Sequence, residues 1–293
     1  MIVRTVEGGV ECLAPAKLNL FLEILGKRPD GFHELESLMV AINLHDTLVF
    51  NDGEPGRITL RCDDPSLPTG RENLVVRAAE RLRDEAGDAR LGASIDLRKA
   101  IPSQAGLAGG SSDAAATLAG LNRLWGLEYP VDRLAALAGE IGSDVAFFFS
   151  GPAAVCRGRG ERVEGIPLPG PLHFVLVCPP LGVGTAEVYR RLVPPERPRS
   201  MGPVLGAWAD RDFEALGAGL FNRLQPVAEA LEPALGRVRE ALANLGPSLD
   251  GHLMSGSGSA YFGLCRGLDA AESAARDLKG PGLGRVRVVT CGP

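Results

Sequence analysis

The sequence predicts an α/β protein of two domains, and three observations carry that expectation. At 293 residues the chain has the length of roughly two domains of ~150 residues each. Its residues are 45% hydrophobic, with 38 glycines and only 5% aromatics, which describes a core of Ala, Leu and Val joined by many tight turns. Along the chain, runs that alternate like strands give way repeatedly to runs with apolar residues at helical spacing.

Taken in order, Leu18, Leu20, Leu22 and Ile24 alternate with Asn19, Phe21, Glu23 and Leu25, the pattern of a mostly buried strand. Lys27-Arg28-Pro29-Asp30-Gly31 ends it with turn chemistry. Residues 37–44, 46–50 and 57–62 read as three further strands. From Glu72 the period becomes helical, through Leu74, Ala78, Leu82 and Ala86. A strand at 94–98 leads into a glycine-rich loop, and a helix follows beyond Ser111 with Leu118, Leu121 and Trp125 on one stripe. Another helix runs from Asp132 to a stop at Gly142, before a buried apolar strand at Val145–Phe149. A strand at 173–178 opens the second half. After it come a Pro-rich surface loop at 194–203, long helical patterns over 211–245, a Ser/Gly loop at 255–259 and strands near 260–265 and 285–290. Arg, Gly and Pro crowd residues 157–171, so the boundary is expected there, giving domains 1–163 and 164–293.

Net charge is −5, and arginines such as Arg81 and Arg83 are interleaved with Glu80, Asp84 and Glu85. That is a solvated helix face, and no basic cluster marks a nucleic-acid partner. The six cysteines, at 12, 62, 156, 178, 265 and 291, form neither a CxxC pair nor a zinc spacing. Reduced thiols in a cytoplasmic protein are the expectation. Arg4 and Glu7 interrupt the N-terminus, which reads as neither signal nor anchor, and Val145–Phe149 is too short an apolar run to enter a membrane.

The strongest chemical signal is the stretch from Ile101 to Asp113, with Gly106, Gly109, Gly110, Ser111 and Ser112 ahead of an alanine-rich helix. Small residues let backbone amides wrap an anion, and a helix N-terminus adds free N–H groups at its positive end. Ser111 and Ser112 add hydroxyls for phosphate oxygens or Mg²⁺. The bland alternative, a capped helix with a flexible approach, explains one serine but not the run of small residues. The loop lacks the lysine of a Walker A sequence and does not fit Gly-x-Gly-x-x-Gly or Gly-x-Ser-x-Gly. Lys17 offers the missing cation, since Lys17 and Asn19 share one side of a strand; read alone it fits equally a lysine snorkelling at a sheet edge. Asp144, just past Gly142, is a carboxylate at the mouth of apolar sequence, either paired with a cation such as Lys17 or a plain turn residue. Ser255-Gly256-Ser257-Gly258-Ser259 suits an anionic ligand or a tight hairpin turn.

Together these stretches resemble the GHMP family of small-molecule kinases. The resemblance spans nearly the whole chain: PAKLNLFLEILGKRPDGFHELES at 15–37, ENLVVRAAERL at 72–82, IPSQAGLAGGSSDAAATL at 101–118, IGSDVAFF at 141–148, GVGTAEVY at 182–189 and SGSGSAYF at 255–262. The first and third are specific together; the others are weak singly. It is closest to the isoprenoid branch, whose alcohol substrate is a cytidine diphosphate-linked methylerythritol. The resemblance implies an α+β two-domain GHMP kinase architecture, the N-terminal half like the second domain of ribosomal protein S5 and the C-terminal half ferredoxin-like, with the active site in the cleft between. It implies ATP with Mg²⁺, transfer of the γ-phosphoryl group to the substrate's 2-hydroxyl, and a monomer or weak homodimer. Lys17 and Asp144 become the catalytic pair. Pro102, Ser103, Gln104, Ala105, Gly106, Leu107, Ala108, Gly109, Gly110, Ser111 and Ser112 hold the phosphates, and Asn73 with Leu74 borders the adenine. Asn19, Phe32, His33, Thr185 and Tyr189 hold the cytidine substrate, with Phe32 and Tyr189 as the aromatic pair.

The chain departs from the family pattern at Gln104 and Ala108, where the loop has glycine; alanine is expected to sit there with negative φ. Phe32 stands for a tyrosine, Ser143 for an alanine and Ala146 for a proline. Two rivals stay open. A GHMP kinase for a sugar, homoserine or mevalonate-type alcohol has no use for a nucleobase clamp at Phe32 and His33. A catalytically silent nucleotide- or RNA-binding relative has no use for both Lys17 and Asp144, or for an acidic surface.

Overall fold

The computed structural model describes residues 1–278 and 282–292, and they fall into two compact units that interleave along the chain. The first comprises Met1–Ala16, Leu44–Ile101 and Ala108–Gly151; the second comprises Lys17–Asn43, Pro102–Leu107 and Pro152–Pro293. This differs from the boundary expected at 163/164. The reason lies in two strands far longer than the sequence pattern suggests, β2 (Gly9–Lys27) and β3 (His33–Asp52), each giving residues to both units.

In the first unit, β1 (Ile2–Val6) forms a hairpin with the start of β2, and the strand order continues β1-β2-β3-β5-β4. The last two are β4 (Ile58–Cys62) and β5 (Ala93–Arg98), which run parallel. Parallel neighbours need a crossover, and α1 (Leu74–Ala86) supplies it, burying Val75, Val76, Ala78, Ala79 and Leu82. The alanine run that opens α2 (Gly109–Leu124) is buried too, and the helix lies hard on the sheet. A Cβ on Gly120 would come within 2.5 Å of the Phe50 ring and 3.1 Å of Cys12 Sγ. α3 (Val131–Ile141) ends at Gly142 as its sequence predicts.

Two expectations fail here. Residues 37–44 and 46–50 are one strand, because Asp46 does not interrupt β3: its buried carboxylate is satisfied by Lys99 and by the amides of Ala100 and Ile101. Val145–Phe149 is no strand; residues Ala146–Phe149 make a short 3₁₀ turn, closed by the Ser150 hydroxyl on the Phe147 carbonyl. Periodicity cannot assign so short an apolar run, and Phe147 and Phe148 meet edge to face at 5.1 Å.

The second unit carries an antiparallel four-stranded sheet in the order β10-β11-β8-β12. These are β8 (Leu172–Cys178), β10 (Gly251–Met254), β11 (Tyr261–Cys265) and β12 (Arg285–Cys291). The later part of β2 and the earlier part of β3 belong to this unit, with β6 (Ala153–Gly158) antiparallel to β3 and β7 (Arg162–Gly165) antiparallel to β6. The two-residue β9 (Phe221–Asn222) pairs in parallel with β2. The helices are α4 (Thr185–Arg191), α5 (Gly202–Asp210), α6 (Phe213–Gly219), α7 (Gln225–Leu231), α8 (Leu235–Ala243) and α9 (Leu268–Asp277). Val175, Val177, Ala228, Val238, Leu242, Tyr261 and Ala271 meet in the core of this unit.

The long helical pattern of 211–245 is three short helices. Pro226 starts α7 and Pro233 precedes α8, positions where a ring without an N–H fits a helix start but not its interior. The Arg/Gly-rich stretch near 157 is the β6–β7 hairpin, its turn made by Gly158 and Gly160 at φ 77° and 115°. Among the described residues no helix is long and apolar enough to cross a membrane.

Candidate active site

Lys17 is 3% exposed within β2, so its charge is held by specific partners. Its Nζ donates to Asn19 Oδ1 and, at 2.8 Å, to the Gly106 carbonyl. The strand's two-residue period sets this up, placing Asn19 on the same face two positions on. Asn19 in turn donates through Nδ2 to Ser37 Oγ at 2.8 Å, and Ser37 donates to the Phe21 carbonyl at 2.6 Å. Asn19 thereby supports Lys17, its Oδ1 accepting from the ammonium while its Nδ2 donates to Ser37.

Residues 105–107 are tied down by their carbonyls. Ala105 accepts from the Ala260 amide at 3.0 Å, Gly106 from Lys17 Nζ and from Ser255 Oγ at 3.0 Å, and Leu107 from the Lys17 amide at 3.1 Å. In a planar trans peptide the next N–H points opposite to each carbonyl. The amides of Gly106, Leu107 and Ala108 are thereby turned the other way as a row. Gly106 is obligatory, at φ 73° with any Cβ only 1.9 Å from the Ser255 carbonyl. The Ser/Gly loop that holds this row is the β10–β11 hairpin turn. Its hydroxyls serve the protein, Ser255 on Gly106, Ser257 on Thr185 and Ser259 on the Leu181 carbonyl. Asn222, which the sequence gives no cue to, fixes the hairpin by donating to the Met254 and Gly256 carbonyls.

Beyond that row the chain enters α2. The helix starts at Gly109, two residues before Ser111, and its N-cap Ala108 sits at φ 55°, against the expectation of a negative value. Gln104 is also left-handed, at φ 53°. Pro102 is half-buried, Ser103 and Gln104 are exposed, and Ala105 and Leu107 are buried. Gly109 touches Ile101 and Lys99: a Cβ there would be 3.0 Å from Ile101 Cγ2 and 3.2 Å from Lys99 Nζ. Gly110 is exposed and Ser111 half-buried. Ser112 is fully buried, and its Oγ meets no hydrogen-bond partner in the protein. An orphaned buried hydroxyl in the first turns of a helix fits an external acceptor such as a phosphate oxygen. Next to it, burial pushes Asp113 up to about 7, against the pull of Lys99. No three carboxylate, histidine or cysteine side chains converge as a metal centre among the described residues.

Asn73 is the N-cap of α1: its Oδ1 accepts from the Val75 amide at 2.9 Å and its Nδ2 donates to the Pro68 carbonyl at 2.8 Å. Its amide is thus occupied in capping, while Leu74 beside it is half-buried. Asp144 lies half-buried in the turn between Gly142 and Val145, in the first unit, whereas Lys17 belongs to the second.

Phe32 and Tyr189, expected on either side of the cytosine, each meet another side chain. The Tyr189 ring meets His33, centroids 5.4 Å apart. Phe32 is 49% exposed and carries the Arg159 guanidinium 4.8 Å above its ring. The turn explains this, since Asp30 accepts from the Phe32 amide at 3.1 Å and takes the Arg28 guanidinium. That bend turns Phe32 outward and leaves His33 to begin β3. Burial, followed by the nearby Lys27 charge, lowers the His33 pKa. Thr185 opens α4 and shares a hydrogen bond of 2.8 Å with Ser257.

Comparison with known proteins agrees with this architecture. The family model of the GHMP kinases N terminal domain matches residues 73–152, and that of the GHMP kinases C terminal region matches residues 204–282. A 4-diphosphocytidyl-2-C-methyl-D-erythritol kinase from Pelotomaculum thermopropionicum is 46% identical over 269 residues, covering 91% of this chain and 92% of that protein. A crystal structure of a 4-(cytidine 5'-diphospho)-2C-methyl-D-erythritol kinase superposes with a TM-score of 0.79 at 40% identity, covering 97% of this chain and 99% of the other. A homoserine kinase from Cytophaga hutchinsonii shares the fold, with a TM-score of 0.77 at 23% identity and coverage of 100% and 97%.

Proposed function

The chain belongs to the GHMP kinase family, and from that premise we propose that it phosphorylates the 2-hydroxyl of 4-diphosphocytidyl-2-C-methyl-D-erythritol with ATP. The observation that carries the reading is the set of amides at Gly106, Leu107 and Ala108, turned away from the preceding carbonyls, which are tied to Lys17, Ser255 and Ala260. Fixed N–H dipoles beside a buried ammonium group and a helix N-terminus suit a polyphosphate whose charge grows during transfer.

In this reading Lys17 neutralises charge on the transferred phosphoryl group. It is pre-positioned by Asn19 and Gly106, so no side-chain reorganisation accompanies the step. Asp144 accepts or orients the proton of the acceptor hydroxyl. A tertiary alcohol is a poor acid, so alignment matters more than basicity. His33 and Tyr189 form the cytosine subsite, with the neutral imidazole offering a ring nitrogen to the base edge and Tyr189 a stacking face. Thr185, at the start of α4 on the hairpin side, contributes to the same substrate, and Leu74 borders the adenine. Mg²⁺ supplies electrophilic neutralisation of the phosphates when bound. With no carboxylate cluster for it among the described residues, it would be held mainly through the nucleotide, as this ion commonly is, with Ser111 at the helix start nearby.

A coupled ADP-release assay tests the substrate, with 4-diphosphocytidyl-2-C-methyl-D-erythritol beside homoserine, mevalonate and galactose. Turnover of the cytidine substrate alone is expected. A higher kcat/KM for any of the other alcohols overturns the assignment. Ser112→Ala tests the phosphate site: it deletes a hydroxyl without a protein partner, so the melting temperature should hold while affinity for a non-hydrolysable ATP analogue falls by roughly tenfold, the effect of one lost charge-assisted hydrogen bond. Undiminished affinity would mean that the phosphates bind elsewhere.

A further inference from the structure

We infer that Lys99, clamped by Asp46 and Asp113, is a positioning residue that fixes both ends of the phosphate loop and so sets ATP affinity without contacting the alcohol substrate. The inference rests on the reading of residues 102–112 as that loop.

Three charged side chains meet in the first unit with almost no solvent: the side chains of Lys99, Asp46 and Asp113 are 9%, 0% and 3% exposed. Lys99 Nζ donates to Asp46 Oδ2 and, at 2.6 Å, to Asp113 Oδ2. Asp46 uses its other oxygen to take the Ala100 and Ile101 amides at 2.6 and 2.9 Å, the last two peptides before the loop. Asp113 stands in the first turns of α2, where the loop ends. Lys99 therefore joins the strand entering the loop to the helix leaving it. The Lys99 backbone is pinned as well, its amide donating to Asp63 at 2.8 Å.

Gly109 leaves the join uncrowded. Its Cα faces Lys99 so closely that a Cβ would lie 3.2 Å from Nζ, so a side chain there would crowd the ammonium where it reaches Asp113. A buried cation beside the positive end of a helix is unfavourable in itself. Its retention there requires the two carboxylates, and what the three groups hold together is the loop's span. A purely stabilising cluster of this size would be served as well by apolar side chains. Lys99 could instead act on phosphates directly by its charge, and the carboxylate variants separate the two roles.

The test compares the parent with Asp46→Asn, the charge-balanced double variant Lys99→Met/Asp113→Asn, and Ser112→Ala. Binding of a non-hydrolysable ATP analogue is measured by calorimetry, and KM for the alcohol by ADP release at saturating ATP. Both clamp variants are expected to weaken the analogue roughly tenfold or more, the scale on which small misplacements of a site act, while the alcohol KM stays within about threefold. Asp46→Asn leaves Lys99 its charge, so unchanged or tighter analogue binding in that variant overturns the positioning role. Equal losses for nucleotide and alcohol overturn it too, as a general structural effect. If Ser112→Ala binds like the parent, the loop reading fails; if only Ser112→Ala weakens binding, the clamp alone fails.

Discussion

Asp144 carries the most consequential single-residue assignment. It sits half-buried after the Gly142 stop of α3, and exchange to the isosteric amide removes its proton-accepting capacity with little change of shape. Asp144→Asn should cut kcat by roughly 10²–10⁴, the usual range for a positioned acid or base, with ATP-analogue affinity unchanged in calorimetry. A kcat within about threefold of the parent would remove Asp144 from the mechanism. The proposed base subsite carries one ring contact that the sequence does not suggest. His33, not Phe32, meets Tyr189, so Tyr189→Ala should raise the cytidine-substrate KM roughly ten- to a hundredfold, matching ~1–3 kcal/mol per stacked base. Phe32→Ala, which exposes Arg159, should cost less. The lowered His33 pKa gives a pH signature. The imidazole stays neutral at and above pH 7, so the substrate KM is flat there. It rises only as pH falls through that lowered value, when the ring gains a proton and loses its acceptor nitrogen. An inflection above pH 7 that His33→Gln abolishes would contradict this.

At the scale of elements, the proposed phosphate loop is held in a conformation its own residues resist. Gln104 and Ala108 occupy left-handed backbone at φ 53° and 55°, where a Cβ costs roughly 1–2 kcal/mol, and the carbonyl ties of residues 105–107 enforce the shape. Ala108→Gly and Gln104→Gly should each raise the melting temperature by a few degrees, about 2–4 °C per kcal/mol gained at this size. A fall would show that the loop relaxes elsewhere. In β2, Glu23 is fully buried and receives both Arg223 nitrogens, at 2.8 and 2.7 Å, with the Ile24 and Arg199 amides. Burial alone would raise its pKa, but these hydrogen bonds prevail and lower it. A depressed carboxylate stabilises the fold above the unfolded-chain value of about 4.3 and loses that contribution as pH falls through the folded value. Glu23→Gln should therefore destabilise at pH 7, by roughly 2–3 kcal/mol because Arg223 is partly exposed and the ~3–5 of a fully buried broken pair is not reached. The deficit should vanish in urea melts at the acid end; a deficit independent of pH would refute the charge argument.

At the scale of the whole molecule, what the residues disclosed was local. The alternation of 18–25, the period of 72–86 and the small residues of 101–112 each state their structure within one element, and each was readable. Asp46 inside β3, Asn222 behind the hairpin and Lys99 beside Gly109 were not, because each has a partner more than 30 residues away: Asp46 and Lys99 pair with each other, and Asn222 with Met254. The same distance hid the interleaving of the units, which long strands create and no linker marks. That interleaving yields a final prediction. Residues 102–107 belong to the second unit and 108–112 to the first, so the proposed phosphate loop takes its residues from two stretches of chain. His33, Thr185 and Tyr189 all belong to the second. Each ligand stabilises what it binds by about 2.7 kcal/mol at a hundred times its Kd, and amide hydrogen exchange reports where. An ATP analogue should slow exchange in the first turns of α2 and in the β10–β11 hairpin alike. Cytidine diphosphate should slow exchange around α4 and the start of β3 while leaving α1 and α2 at parent rates. Protection of α2 by cytidine diphosphate equal to that of α4 would place the base on the phosphate loop and overturn the two-subsite assignment.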